Sequence, residues 1–252
     1  MKHSCILLLL YIVFSASIFQ QQPITIAVAA NAQYAMKSIE KQYEAETGKQ
    51  IDLIIGSSGK LCAQIREGGP FDIFLSADME YPQALYTEGL TTAVPKSYGN
   101  GVLVLWTMKD IKTLSMNSLL QTDIKHIAIA NPKLAPYGEA AISALNHHKL
   151  YEKVLPKIVY GESLSQVNQY VSTQTADIGF TAKSVVLSPE MVNKGTWVEI
   201  DAKAYAPIVQ GAVLLKKSLQ RNHAEDALQF YNYLYSAKAK AIFKQYGYQF
   251  TK

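Results

Sequence analysis

ITIAVAANAQYAMKSIEKQYEAETGKQIDLIIGSSGKLCAQI, residues 24–65, contains two strand-then-helix units in direct succession. ITIAVAA (24–30) is β-branched and continuously apolar, the pattern of a strand buried on both faces. The next run, 32–48, places Ala35, Met36, Ile39 and Tyr43 on one helical face and stops at Gly48. IDLIIG (51–56) repeats the strand, and the residues after GSSG (56–59) repeat the helix. Such an alternation implies a parallel sheet covered by helices on both faces. The GSSG turn suits an anion, because a glycine-rich turn feeding a helix presents free N–H groups. It is not a nucleotide P-loop. That motif needs a hydroxyl after its lysine and a glycine well ahead of it. Here Leu61 follows Lys60, and the position of the first glycine falls within the apolar run 51–55. Taken alone, the turn is better explained as an ordinary helix cap.

The same alternation continues outward. FDIFLSAD (71–78), GVLVLWT (101–107), HIAIANP (126–132), IVYG (158–161), DIGFTA (177–182) and YAPIVQGAVLL (205–215) read as strands, with helical patterns between them and two closing helices after residue 221. Polar or small residues at helix starts follow four of the strands: Asn31, Ser57 with Ser58, Pro136 with Tyr137, and Ser163 with Leu164. In open α/β sheets ligands bind beyond the carboxyl ends of the strands. Four helix N-termini meeting in one cleft would supply N–H donors and dipole ends suited to a small dianion without any lysine or arginine. Each tip by itself reads first as a plain helix cap, and the functional case rests on all four belonging to one architecture.

The ends and the composition set the compartment. MKHSCILLLLYIVFSAS (1–17) has a Lys2 n-region, a short apolar run and small residues, the layout of a secretory signal, with cleavage expected near Ser17. Cys5 has no lipobox before it, so lipid anchoring there is not expected. Without that segment one cysteine remains, Cys62, which rules out an internal disulfide and reads as a small core residue. The net charge of +4 falls to +3 when Lys2 is removed, and no Lys/Arg cluster marks a nucleic-acid surface.

VAANAQYAMKSI, GSSGKLCAQIREGGPFDIFLSADMEYPQAL, YGNGVLVLW, NPKLAPYGEAA, GESLSQ, ADIGF and IFKQYGY, in this order, resemble the periplasmic molybdate-binding proteins of ABC importers over nearly the whole chain. The resemblance implies a two-lobed α/β fold of the type II periplasmic-binding class. Lobe I would comprise 23–103 plus 207–252 and lobe II 104–206. It also implies a soluble periplasmic monomer that captures molybdate, with tungstate as a second ligand, and delivers it to a membrane permease. Carried over by motif, the oxyanion-binding residues are Asn31, Ser58, Tyr137 and Leu164. They would hold molybdate through its oxygens, with no direct metal ligand, no cofactor and no catalysis. Asn31 stands where many members have serine, and Ala182 where some have a tyrosine, whose hydroxyl Tyr137 would replace.

The chemistry is consistent with such a ligand. Molybdate is a dianion with four acceptor oxygens, and neutral donors satisfy them without burying a cation. Phosphate near pH 7 carries a proton that a donor-only pocket leaves unpaired, a cost of ~1–3 kcal/mol or more. Glu162, two positions before Leu164, is the carboxylate that could undo this argument and is expected to face solvent. Sulfate has the same charge and protonation, so it differs only in size; a sulfate or other oxyanion binder is the alternative within the class. A secreted enzyme on the same fold is the alternative outside it. Asp72 and Asp78 flank a strand, but no nucleophile motif accompanies them, and Asp78 reads as a cap for the following helix. His147 and His148 are adjacent, point to different sides of a helix and lack further ligands at metal spacing.

Overall fold

The computed structural model describes residues 22–250. The signal segment expected at 1–17 lies outside the described residues. β1 (Ile24–Ala29) enters a three-residue 3-10 turn, Ala30–Ala32, before α1 (Gln33–Thr47). Ala35, Met36, Ile39 and Tyr43 are the buried face of α1, as the helical spacing implies. The helix ends at Gly48, whose φ of 70° is left-handed and suits glycine. β2 (Ile51–Gly56), α2 (Ser58–Arg66), β3 (Ile73–Leu75), α3 (Glu80–Thr87) and β4 (Lys96–Gly101) complete the first pass.

The chain then changes sheets. β5 (Leu103–Thr107) follows β4 after one residue, Val102, yet pairs with β8 (Ile178–Ala182) and β9 (Thr196–Glu199) of the second sheet. The apolar run GVLVLWT is therefore not one strand: its glycine ends one sheet and its remainder opens the other. Leu103, expected to close lobe I, is the first residue of β5 and pairs with Ala182. Between β5 and β9 lie β6 (Ile127–Ala130), α4 (Pro136–His147), α5 (Tyr151–Val154), β7 (Ile158–Gly161), α6 (Leu164–Ser172), β8 and α7 (Lys183–Val186). The return crossing leads to β10 (Ile208–Leu214), then α8 (Ala224–Tyr233) and α9 (Ala237–Gln245).

Each sheet has five strands, ordered β2-β1-β3-β10-β4 and β7-β6-β8-β5-β9. In each, four strands share one direction and the fifth, β10 or β5, runs antiparallel to both its neighbours. The first sheet carries a core on each face, one with Met36, Phe230 and Phe243 and one with Cys62, Phe71 and Phe74. A third core around Trp106, Ile129 and Phe180 fills the second lobe and reaches Ala29, Ala30 and Ala77 of the first. Burying side chains of this size stabilises by ~1.5–3 kcal/mol each relative to exposure. Cys62, buried and free, is one of them, and burial pushes its thiol up to about 11.

Candidate functional site

The tips of four strands meet between the lobes. Asn31, Ser58, Tyr137 and Leu164, the four residues singled out in the sequence, line one small cavity, together with Ser57, Ala77 and short stretches of backbone. All four are at most 3% exposed. The lobes touch around this cavity. Gly59 N–H donates to Leu134 O over 2.9 Å, Ser165 Oγ bonds Gln33 Oε1 at 3.1 Å, and Ser184 Oγ donates to Asn31 O at 2.7 Å.

Local helix geometry selects which N–H groups stay free. In α4, Pro136 has no N–H, while Gly138 and Glu139 both donate to Ala135 O at 2.8 and 3.3 Å. The Tyr137 N–H alone has no partner in that turn. In α2, Leu61 N–H closes on Ser57 O and Gly59 N–H crosses to the other lobe, while Ser58, which lines the cavity, has an N–H with no backbone partner among the described residues. In α6, Val167 N–H closes on Ser163 O and Leu164 N–H has no partner among the described residues. The 3-10 turn closes through Gln33 N–H to Ala30 O, which leaves Asn31 N–H free in the same way. These donors sit at the positive ends of helix dipoles, where anions are stabilised.

The side chains divide differently from the sequence reading. The Ser58 hydroxyl accepts from Ala77 N–H at 3.0 Å and keeps its own proton available. The Asn31 amide does not face an anion as a donor: its Nδ2 donates to Gln210 Oε1 at 2.7 Å and to Tyr248 OH at 3.3 Å. The Tyr137 hydroxyl, expected to stand in for the tyrosine missing at Ala182, is bonded to Gln210 and keeps its own proton. It accepts from Gln210 Nε2 at 3.1 Å. Burial raises the Tyr137 and Tyr98 phenols well above their ordinary value, so both stay neutral. Asn31 therefore offers the cavity its backbone, and the bonds to Gln210 anchor the side chains of both Asn31 and Tyr137.

The network behind the site was not foreseen. Gln210 interrupts the apolar run IVQGAVL, and a lone glutamine inside a strand is the one signal the sequence held. Ser57, which shares its strand tip with Ser58, makes no capping bond through its hydroxyl, which is buried without a partner among the described residues beside the cavity.

No lysine or arginine lines the cavity. Lys60 pairs with Glu162 across the cleft mouth at 2.6 Å, with both side chains half exposed. Glu162 thus lies exposed outside the cavity, as expected, and pairs there with this lysine. Asp78 lies beyond Ala77 and accepts from Ser76 Oγ at 2.9 Å and Tyr81 N–H at 3.2 Å, the capping role expected of it. Burial, with Glu80 and Glu139 adding like charge, raises it to about 6 against the two bonds that favour its anion. Asp72 sits at the other end of β3, buried against His223 Nε2 at 3.0 Å and Arg221 at 3.3 Å. It therefore takes no part in the cavity. Among the described residues no group of three or more His, Cys, Asp or Glu side chains is placed to hold a metal ion.

Two α/β lobes, two crossings and a donor-lined cavity between them define a two-lobed periplasmic-type binding protein. The chain belongs to the bacterial extracellular solute-binding protein family, whose model matches residues 24–249. It is 38% identical to the molybdate-binding protein ModA of Azotobacter vinelandii over 231 residues, 91% of this chain and 90% of that protein. It is 39% identical to the ModA of Rhodobacter capsulatus over 225 residues, 88% and 86% of the two chains. The solved periplasmic molybdate-binding protein of Azotobacter vinelandii superposes with a TM-score of 0.85 at 31% identity, covering 91% of this chain and 100% of that one.

Proposed function

We propose that this chain is the extracytoplasmic solute-binding component of a molybdate ABC importer. It captures molybdate, and tungstate equally, in the interlobe cavity and hands it to a membrane permease. The observation that carries this reading is the donor set: free N–H groups of Asn31, Ser58, Tyr137 and Leu164 with the Ser58 hydroxyl, and no cation among the lining residues. A fully deprotonated tetrahedral dianion satisfies such a set, and a protonated oxyanion leaves its own donor unpaired. Relatives at 38–39% identity that carry the molybdate-binding name support the choice of ligand.

The protein acts as a periplasmic monomer, performs no chemistry and needs no cofactor; the ligand is held through its oxygens, never through the metal. Thermal unfolding in the presence of each anion tests the reading. Molybdate and tungstate raise the melting temperature, because a ligand that binds only the folded state stabilises it by mass action. Equal stabilisation by sulfate at the same concentration would transfer the assignment to the sulfate alternative.

A further inference from the structure

We propose that Gln210 is a positioning residue that fixes the spacing of the two lobes around the cavity, and with it the size of the tetrahedral dianion the closed cleft accepts. This rests on the reading of the cavity as an oxyanion site. Gln210 lies in β10, just inside the first sheet after the return crossing, and is wholly buried. The β10–β4 ladder shifts register between Gln210 and Gly211. Such an irregularity re-aims a side chain out of the regular alternation.

All the polar atoms of this amide are engaged, and they join both lobes. Its carbonyl accepts from Asn31 Nδ2 and from Tyr98 OH, each at 2.7 Å, within the first lobe. Its amino group donates to Tyr137 OH at 3.1 Å, at the start of α4 in the second. The bond to Tyr137 passes over the other crossing. A Cβ on Gly101 would fall 2.0 Å from Tyr137 OH and 2.3 Å from Gln210 Nε2, so only glycine leaves room for it. One side chain thus ties the turn that presents Asn31 N–H to the turn that presents Tyr137 N–H, at the place where both chain crossings pass.

Displacing one lobe against the other stretches the Gln210–Tyr137 bond. Because both groups are buried, a broken bond leaves them unpaired, which costs more than an exposed bond would. The separation of the donors on the two sides of the cavity is therefore held to one value. Sulfate and molybdate agree in charge and protonation and differ in size, so a fixed separation is what distinguishes them.

The test compares Tyr137→Phe, which keeps the backbone donor and loses only the hydroxyl, with Gln210→Met and with Tyr231→Phe. Tyr231 donates to Ala212 O on the same strand at 3.2 Å and packs in a core of the first lobe, so it controls for general loss of stability. Dissociation constants and release rates for molybdate and sulfate are measured for each, with the melting temperature of the ligand-free protein. Tyr137→Phe is expected to weaken molybdate roughly three- to tenfold, the value of one buried neutral hydrogen bond, mostly through faster release. Gln210→Met weakens it more, and both narrow the molybdate-to-sulfate ratio. Tyr231→Phe lowers the melting temperature and leaves the ratio at its wild-type value. If Tyr137→Phe and Gln210→Met lower only the melting temperature, with release rates and ratio unchanged, Gln210 is merely structural and the proposal is overturned. If Gln210→Met does not fold, Tyr137→Phe decides alone. A wild type that takes sulfate in place of molybdate overturns the molybdate reading, and the variants' effect on sulfate release then decides the role of Gln210. A wild type that binds neither overturns both.

Discussion

The Ala77 N–H donates to the Ser58 hydroxyl over 3.0 Å, so one acceptor position of this hydroxyl is filled and its proton stays available. The bond also fixes the rotamer, so the proton is presented to the cavity without a further ordering cost. Ser58→Ala removes that donor and keeps the backbone N–H. A hydrogen bond to a charged group contributes ~1.5–3 kcal/mol, so molybdate affinity should fall roughly ten- to a hundredfold in a titration. An unchanged affinity would mean that Ser58 holds the α2 turn in place and touches no ligand.

Gly59 sets how closely the lobes approach. A Cβ there would lie 2.8 Å from Tyr81 OH and 3.1 Å from Leu134 Cα, and the backbone cannot give way as a side chain can. Gly59→Ala should therefore oppose closure, weakening molybdate roughly tenfold, since overpacking costs ~1–3 kcal/mol. The ligand-free protein should unfold at the same or a higher temperature, because alanine suits a helix better than glycine by ~1 kcal/mol. Loss of affinity together with a lower melting temperature would place the damage in the fold, not in closure.

Lys60 and Glu162 bridge the mouth at 2.6 Å but are half exposed, and exposed pairs contribute ~0–1 kcal/mol. Lys60→Ala should change affinity by less than about threefold. Equilibrium affinity should also depend weakly on ionic strength, because the neutral donors are buried and poorly screened. A steep loss of affinity between low and physiological salt, abolished in Lys60→Ala, would make this lysine a ligand.

What could be read from the sequence was what local chemistry dictates. The 3.6-residue spacing of Ala35, Met36, Ile39 and Tyr43 marks α1 because a helix must bury one face. Asn31, Ser58, Tyr137 and Leu164 could be placed at strand tips because helix starts carry recognisable residues, and all four line the cavity. The functional atom within each residue was less legible. That the Asn31 and Tyr137 side chains are bonded at all depends on Gln210, which is 179 and 73 residues distant from them. No local propensity encodes such a pairing. The break of GVLVLWT at Val102 was hidden for a related reason: a run buried in either sheet has the same composition.

Asp78 gives the account a pH dependence. Burial raises its pKa from 3.8 to about 6, so the folded state holds a proton that the unfolded state has released. The ionised carboxylate therefore costs stability above pH 6, and the cost fades as pH falls toward 3.8. Asp78→Asn keeps an acceptor for Ser76 and Tyr81 and removes the charge. It should stabilise the protein at pH 7.5 by about 1–3 kcal/mol in urea unfolding, with the gain vanishing near pH 4. A gain of the same size at both pH values would show that the charge is not its source.

Calorimetric titration of the purified protein with molybdate, tungstate, sulfate and phosphate, at one pH and salt concentration, tests the central claim most directly. Molybdate and tungstate should each bind one to one with closely similar affinity, with sulfate weaker for its size and phosphate weaker for its unpaired proton. Sulfate binding as tightly as molybdate, or phosphate binding more tightly than either, would contradict the account.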